Sequence, residues 1–336
     1  MWRRDHDRLV AASPGPEGRS AAVWLQAVRS HLATSLVDGR TLEILLGVAR
    51  QLPGDVMTAL EIRLGSEPAA VDLSLRLARP AQALWMAERV SSPHLREFLR
   101  GWSAEPDGPA SSVWLEFDLD REPSPPAVCA GLRGRAEPGW VADVLLPRLH
   151  GRPLTPRQRE LTEACCAAIP EGARLLYAFS LLSRGAGEIR LEILGLDPAG
   201  SLRYLERTAP SALGQIAEVL PLFAGVERLH LSLDIGERIS PRMGLEGSFV
   251  KLPHREPGWR GLFDRLVARG LCSPEKRDAV FAWPGYDSPA PGWHCVRSLS
   301  HVKVVTCPRR APEAKVYFLV TPLRKLPPGG ALRPAG

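Results

Sequence analysis

Along much of this chain apolar and polar residues alternate with a period of two, the signature of half-buried strands, and the alternating runs come in pairs. The first pair is 59–64 and 71–77, joined by a Gly65-Ser66-Glu67-Pro68 turn. The second is Val113-Trp114-Leu115-Glu116-Phe117-Asp118-Leu119 followed, past a proline-rich turn at 123–126, by a weaker run over 128–132. A third spans 175–183 and 188–193 around Arg184-Gly185-Ala186-Gly187, and a fourth spans 228–235 and 243–249 around Gly236-Glu237-Arg238. The fifth is 300–305 and 315–320, across a proline-flanked turn. Each pair predicts an antiparallel hairpin.

Helical periodicity fills the intervals: 20–33 and 40–51 before the first hairpin, 81–100 before the second, and 156–168 before the third. The remaining hairpins are separated by 202–207 with 212–222, and by 259–270 with 274–281. Pro156 after Thr155 and Pro274 after Ser273 read as first-turn prolines behind a capping residue. Leu60, Ile62 and Leu64, or Leu229, Leu231, Leu233 and Ile235, give each strand an apolar face suited to helical cover. The polar face is a solvated surface if the sheet is open and a lined lumen if the strands close into a barrel. Recurrent helices between all hairpins, and the tendency of ten-stranded sheets to curl, favour closure. An open-sheet interaction domain is the other outcome.

Composition adds bounds. The 336 residues, 45% hydrophobic and 24% charged, suffice for a sizeable core. A single domain over 19–325 is expected, with flexible segments at 1–18 and 326–336 that are rich in proline, glycine and arginine. The net charge is +6, but 43 basic residues are dispersed among 37 acidic ones without a basic block, so no nucleic-acid partner is expected. The six cysteines form no C-x-x-C pair and read as buried thiols of a reducing cytoplasm. MWRRDHDRLV lacks the apolar core of a signal peptide, and no run approaches the ~20 apolar residues of a membrane span. A cytoplasmic monomer with no membrane partner is the expectation.

The alternation points Arg63, Arg76, Arg190, Arg228, Arg242, Lys303 and Lys315 to the polar face, together with Asp72, Glu116, Asp118, Glu192, Asp234 and Glu246. In a closed lumen so many cations call for an anionic ligand, unless the acids pair with them. His230 and His301 fall on the same face as candidate bases, and Trp114 and Tyr317 as candidate aromatic contacts. There is no G-x-S-x-G elbow, phosphate-binding P-loop or H-E-x-x-H zinc motif, which leaves hydrolase, NTPase and zinc-protease chemistry without support. The stretch 283–294 holds three aromatic residues among prolines and glycines and reads as a long loop, set to cap a barrel mouth or to pack on a helix.

Five helix-strand-strand-helix units in this order, over roughly residues 20–322, and Lys315-Val316-Tyr317-Phe318, similar to a Lys-x-Tyr strand element, together resemble the aromatic prenyltransferases of the ABBA or PT-barrel fold. The resemblance is particularly to the bacterial indole type akin to dimethylallyltryptophan synthase. It implies an α+β fold in which a ten-stranded antiparallel β-barrel of five αββα repeats carries its helices outside. It also implies transfer of an isoprenyl group from an allylic diphosphate to an aromatic or peptide acceptor in natural-product biosynthesis. Such chemistry needs cations for the leaving diphosphate, aromatic faces or dryness around the allylic cation, and a base for the ring proton.

Carried onto this sequence, the resemblance makes Glu61 the acceptor-binding and proton-accepting carboxylate, with Trp114 and His230 beside it. It makes Arg63, Arg76, Arg190, Arg228, Arg242, Lys303, Lys315 and Tyr317 the diphosphate-binding set. D-D-x-x-D is absent, so no metal and no cofactor beyond the allylic co-substrate are expected, Mg²⁺ included. One departure stands out: with four tyrosines in the chain, only Tyr317 falls clearly inward, where the family shields its cation with several. A non-catalytic barrel that holds an anionic or peptidic ligand is therefore the competing expectation.

Overall fold

The computed structural model of the chain describes residues 20–65, 70–105, 108–119, 125–182 and 187–323. The segments 1–18 and 326–336, the turn residues Ser66, Glu67 and Pro68, and Arg184, Gly185 and Ala186 lie outside the described residues.

All the expected hairpins form: β1 (Met57–Arg63) with β2 (Val71–Leu77), β3 (Ala110–Phe117) with β4 (Ala127–Leu132), and β5 (Arg174–Ser180) with β6 (Ile189–Leu194). They continue as β7 (Arg228–Ile235) with β8 (Ile239–Ser248), and β10 (Trp293–Cys307) with β11 (Arg310–Leu323). Successive strands pair antiparallel around the sheet, and β11 bonds to both β10 and β1. Glu61 opposite Tyr317 and Arg63 opposite Lys315 are the pairs that close the ring. The sheet is therefore a barrel, and the open-sheet alternative falls away.

The eleven-stranded sheet contains one strand outside this ring. β9 (Gly285–Ala290) lies antiparallel along the start of β10, with Tyr286 opposite Val296. The stretch 283–294 is thus not the long loop its composition suggests. Gly292 takes a left-handed conformation (φ 75°) to turn the chain, and Pro289 is tolerated because β9 is an edge strand. Asp287 on β9 accepts from the guanidinium Nε of Arg297 at 2.6 Å, which pins the added strand to the ring.

Helices cover the barrel's outer face. Their starts follow the chemistry read from the sequence: Thr155 accepts from the backbone N–H of Gln158 with Pro156 behind it, and Ser273 accepts from that of Lys276 with Pro274 behind it. The expected single helix over 81–100 is two, Pro80–Ala87 and Pro93–Ala104. Ser92 caps the second, and Pro93 cannot donate to a preceding turn. A helical segment over 138–150 was not legible in the sequence. It opens at Pro138, widens into a π-helical turn over Val141–Leu145 and ends over Leu146–His150, with Pro147 disturbing the periodicity. Among the described residues no helix is long and apolar enough to cross a membrane.

The core is the layer between barrel and helices. Leu60, Ile62, Leu73, Leu75, Val113 and Leu115 from the strands are fully buried there with Leu25, Leu45, Leu99 and Phe263 from the helices. At the closing seam Phe318 of β11 stacks flat on Trp283, 4.6 Å between ring centres, and the Trp283 indole N–H donates to the Ser298 carbonyl at 3.1 Å. Truncating Phe318 would leave a cavity beside a strand that pairs on both sides. Phe318→Ala is expected to cost about 3–5 kcal/mol in urea-induced unfolding, and a loss under 1 kcal/mol would show that this seam does not hold the barrel closed.

Candidate functional site

The inward-facing residues enclose a cavity of about 200 Å³, far beyond the ~10–15 Å³ that one water needs, so the lumen is not filled by its own side chains. Its wall has two characters. On β3 to β5 it carries the aromatic rings: Trp114, Tyr177 and Phe179 line it with Cys129, beside the polar Ser111, Ser112 and Glu116 of β3, and Tyr177 and Phe179 meet edge to face at 6.1 Å. β4 makes room for these rings with small residues. A side chain at Gly131 would come within 2.6 Å of Ser112 Oγ and 3.0 Å of the Tyr177 ring. The opposite wall, from β1, β6 to β8, β10 and β11, is ionic, with Glu61, Arg190, Glu192, His230, Glu246, His301, Lys303 and Tyr317 facing the cavity.

Glu61 is the centre of the ionic wall. Lys315 donates to one carboxylate oxygen and the Tyr317 hydroxyl to the other, both from the adjacent strand β11. Burial pushes its pKa up, but the Lys315 ammonium and these two hydrogen bonds outweigh burial and hold the carboxyl well below the usual range. Glu61 is therefore a fixed anion, well suited to accept a hydrogen bond and weak as a proton acceptor. Burial first, and the Glu61 charge second, push the Tyr317 phenol upward, so it remains a donor. His301 stacks on Tyr317 at 3.9 Å, and burial lowers its pKa to about 4, which leaves it neutral near pH 7.

Most of the cations assigned to diphosphate binding are already matched by carboxylates. Arg190 makes a two-pronged contact with Asp234 at 2.6 and 2.9 Å, and Arg242 lies 3.5 Å from the same carboxylate. Arg63 sits 2.9 Å from Glu313 and 3.7 Å from Asp72. Lys303 lies 2.6 Å from Glu246, and Lys315 holds Glu61. The expectation that these cations require an external anion is corrected for these five: each is answered by a carboxylate inside the barrel. Arg63, Arg242 and Lys315 do not line the cavity; they stand with Asp72, Asp234 and Glu313 at the end where the hairpins turn. Arg76 and Arg228 line the cavity toward its other end, opposite Trp114 and Ser248 in the strand register.

The Glu192 carboxylate accepts a hydrogen bond from His230 Nδ1 at 2.7 Å, and the same nitrogen lies 3.8 Å from Glu246. The Trp114 indole N–H is buried with no acceptor among the described residues, a donor left for a ligand. Tyr177 and Phe179 were missed as lumen residues although they alternate with the buried Leu176 and Ala178. The strand they occupy has an irregularity between Leu175 and Tyr177 that shifts the phase. Tyr317 is thus not alone among inward tyrosines.

No known family profile and no curated protein sequence matches the chain. Solved structures do. AnaPT from Neosartorya fischeri superimposes with a TM-score of 0.59 at 12% identity, over 97% of this chain and 99% of its own. The 6-dimethylallyltryptophan synthase from Micromonospora olivasterospora, solved in complex with DMASPP and Trp, gives 0.56 at 18% identity over 92% and 98%. Prenyltransferase PriB, in a ternary complex with L-tryptophan and dimethylallyl thiolodiphosphate, gives 0.54 at 14% identity over 91% and 99%. The chain has the fold of these prenyltransferases, as its strand order led us to expect.

Asp72 provides a pH handle on the ion-pair layer. Burial, and next the nearby Glu61 charge, raise its pKa from 3.8 to about 6, against the opposing pull of Arg63. A carboxyl whose folded pKa is raised favours folding most below its unfolded pKa, and that contribution is lost as pH climbs through about 6. Glu61 is shifted the other way and contributes constantly above its unfolded value, so it does not change between pH 5 and 7. Asp72→Asn keeps an oxygen for the Leu119 backbone N–H but cannot ionise. The stability of the variant relative to wild type should therefore rise by about 1 kcal/mol from pH 5 to pH 7. Unfolding curves showing a constant difference across that range would refute the raised pKa.

Proposed function

We propose that this protein transfers an isoprenyl group from an allylic diphosphate to an electron-rich aromatic acceptor. The observation that carries the reading is a closed lumen in which a clamped, ionised Glu61 faces a wall of Trp114, Tyr177 and Phe179. In the reaction the allylic C1–O bond breaks and diphosphate departs. A carbon–carbon bond forms to the acceptor ring, and the ring proton passes to a base. The aromatic wall accommodates the apolar chain and stabilises the allylic cation through its ring faces. Glu61 accepts a hydrogen bond from an N–H or O–H of the acceptor, which orients the ring and raises its electron density.

The ring proton passes to a base on the ionic wall, where His230, paired with Glu192, and His301 both face the cavity. Arg76 and Arg228, with Arg190 and Lys303 deeper in the cavity, are the cations in reach of the diphosphate. The tryptophan held by the Micromonospora enzyme and by PriB favours an indole acceptor, with peptides carrying such a ring as the extended case. The reading carries with it a cytoplasmic, monomeric enzyme of natural-product biosynthesis that works without Mg²⁺, lysine and arginine taking the place of an acid cluster.

One observation favours a second reading, a barrel that binds a ligand without transferring anything: the carboxylate partners of Arg63, Arg190, Arg242, Lys303 and Lys315 leave little excess positive charge for a diphosphate. The two separate in one experiment. Incubation with dimethylallyl or geranyl diphosphate and a panel of indoles, phenols and tryptophan-containing peptides should give products heavier by one isoprenyl group. Glu61→Gln should lower kcat/KM by about 100-fold or more while diphosphate still protects against thermal unfolding. Protection without product across the panel would support the binder, and neither protection nor product would sink both.

A further inference from the structure

We infer that the barrel lumen contains a site for one divalent transition-metal ion, built from Glu192, His230 and Glu246. The three residues come from the consecutive strands β6, β7 and β8. His230 stands directly opposite Glu246 in the register and opposite Leu194 on its other side, two positions along the strand from Glu192. Cross-strand neighbours on one face bring their side chains into contact, and here one donor atom from each residue lies within 4.8 Å of the others. The Glu192 oxygen is 2.7 Å from His230 Nδ1, and the Glu246 oxygen is 3.8 Å from it. Ligands of a tetrahedral ion with bonds of ~2.0–2.1 Å are roughly 3.4 Å apart, so these separations bracket what such an ion imposes.

The surroundings support a cation there. His301 Nε2 lies 3.5 Å from the same Glu246 oxygen, a further imidazole beside the cluster. Lys303 takes the other oxygen of Glu246 at 2.6 Å, fixing the carboxylate as an outer-shell partner does. Two carboxylates against one ammonium give the cluster an acidic character that suits a divalent cation. All these residues line the cavity, so a coordination position would remain open to a ligand. Mixed imidazole and carboxylate donors suit Zn²⁺, Co²⁺ or Mn²⁺, whereas Mg²⁺ prefers oxygen and water. The site is therefore compatible with Mg²⁺-independent transfer, and it does not depend on the transferase reading, because binding is measured on the resting protein.

Tag-free, chelator-stripped protein titrated with Zn²⁺ or Co²⁺ tests the site by calorimetry, Co²⁺ absorption and thermal unfolding. The expected result is one equivalent bound, visible Co²⁺ bands of a four- or five-coordinate ion, and a raised Tm that Mg²⁺ does not reproduce. His230→Gln and Glu192→Gln should each weaken binding by about 100-fold or more and abolish the rise in Tm. His31→Gln, which removes an exposed imidazole paired with Asp287 outside the lumen, should leave uptake unchanged. Substoichiometric binding, or retention of wild-type affinity in Glu192→Gln, would overturn the proposal. So would loss of uptake in His31→Gln, which would place the ion on the surface. If His230→Gln does not fold, Glu192→Gln and the Co²⁺ spectrum decide alone.

Discussion

The pairing of β1 with β11 is the contact on which everything else in this molecule depends. Without it the polar faces of the strands would be a solvated surface, and the charges on them would do little. With it, Glu61 and Tyr317 become neighbours although they are 256 positions apart in sequence. The same seam carries Lys315 onto Glu61 and stacks Phe318 on Trp283 behind it, so backbone pairing, an ionic clamp and aromatic packing close the ring together. Removing water from the lumen then strengthens every electrostatic interaction inside it.

Enclosure sets a severe condition: a buried charge without a partner costs several kcal/mol. The barrel meets it by pairing. Arg190 and Arg242 share Asp234, Arg63 lies between Asp72 and Glu313, and Lys303 answers Glu246. These pairs concentrate at the end where the hairpins turn and on one wall, which leaves β3 to β5 free to carry aromatic rings. The division suits a ligand with an apolar chain and a polar head. It also explains why the pKa values of neighbouring carboxylates diverge. Glu61, clamped by a lysine, is held ionised, and Asp72, buried beside that negative charge, is pushed toward its neutral form.

The strand pairs and most helices were legible because each depends on local rules. Alternation marks the strands, and the capping residues Thr155 and Ser273 with their following prolines mark helix starts. Where local rules conflict, the reading failed. Pro147 inside an apolar run hid the 138–150 helix, and Pro289 and Gly292 disguised the edge strand β9 as a loop. A single irregularity in β5 concealed the inward turn of Tyr177.

Alternation along single strands thus determined which residues share a face, Glu61, Trp114, His230 and the arginines and lysines among them. It could not say which of those residues meet. Contact between side chains on different strands depends on register and on the tilt of the closed ring, and both are set by pairings across the whole length of the chain. Only the tertiary structure therefore decided that most of the cations are answered by carboxylates, that Glu61 is clamped by Lys315 and Tyr317, and that Glu192, His230 and Glu246 converge. Charge requires a partner when it is buried, and the partner is chosen by the fold.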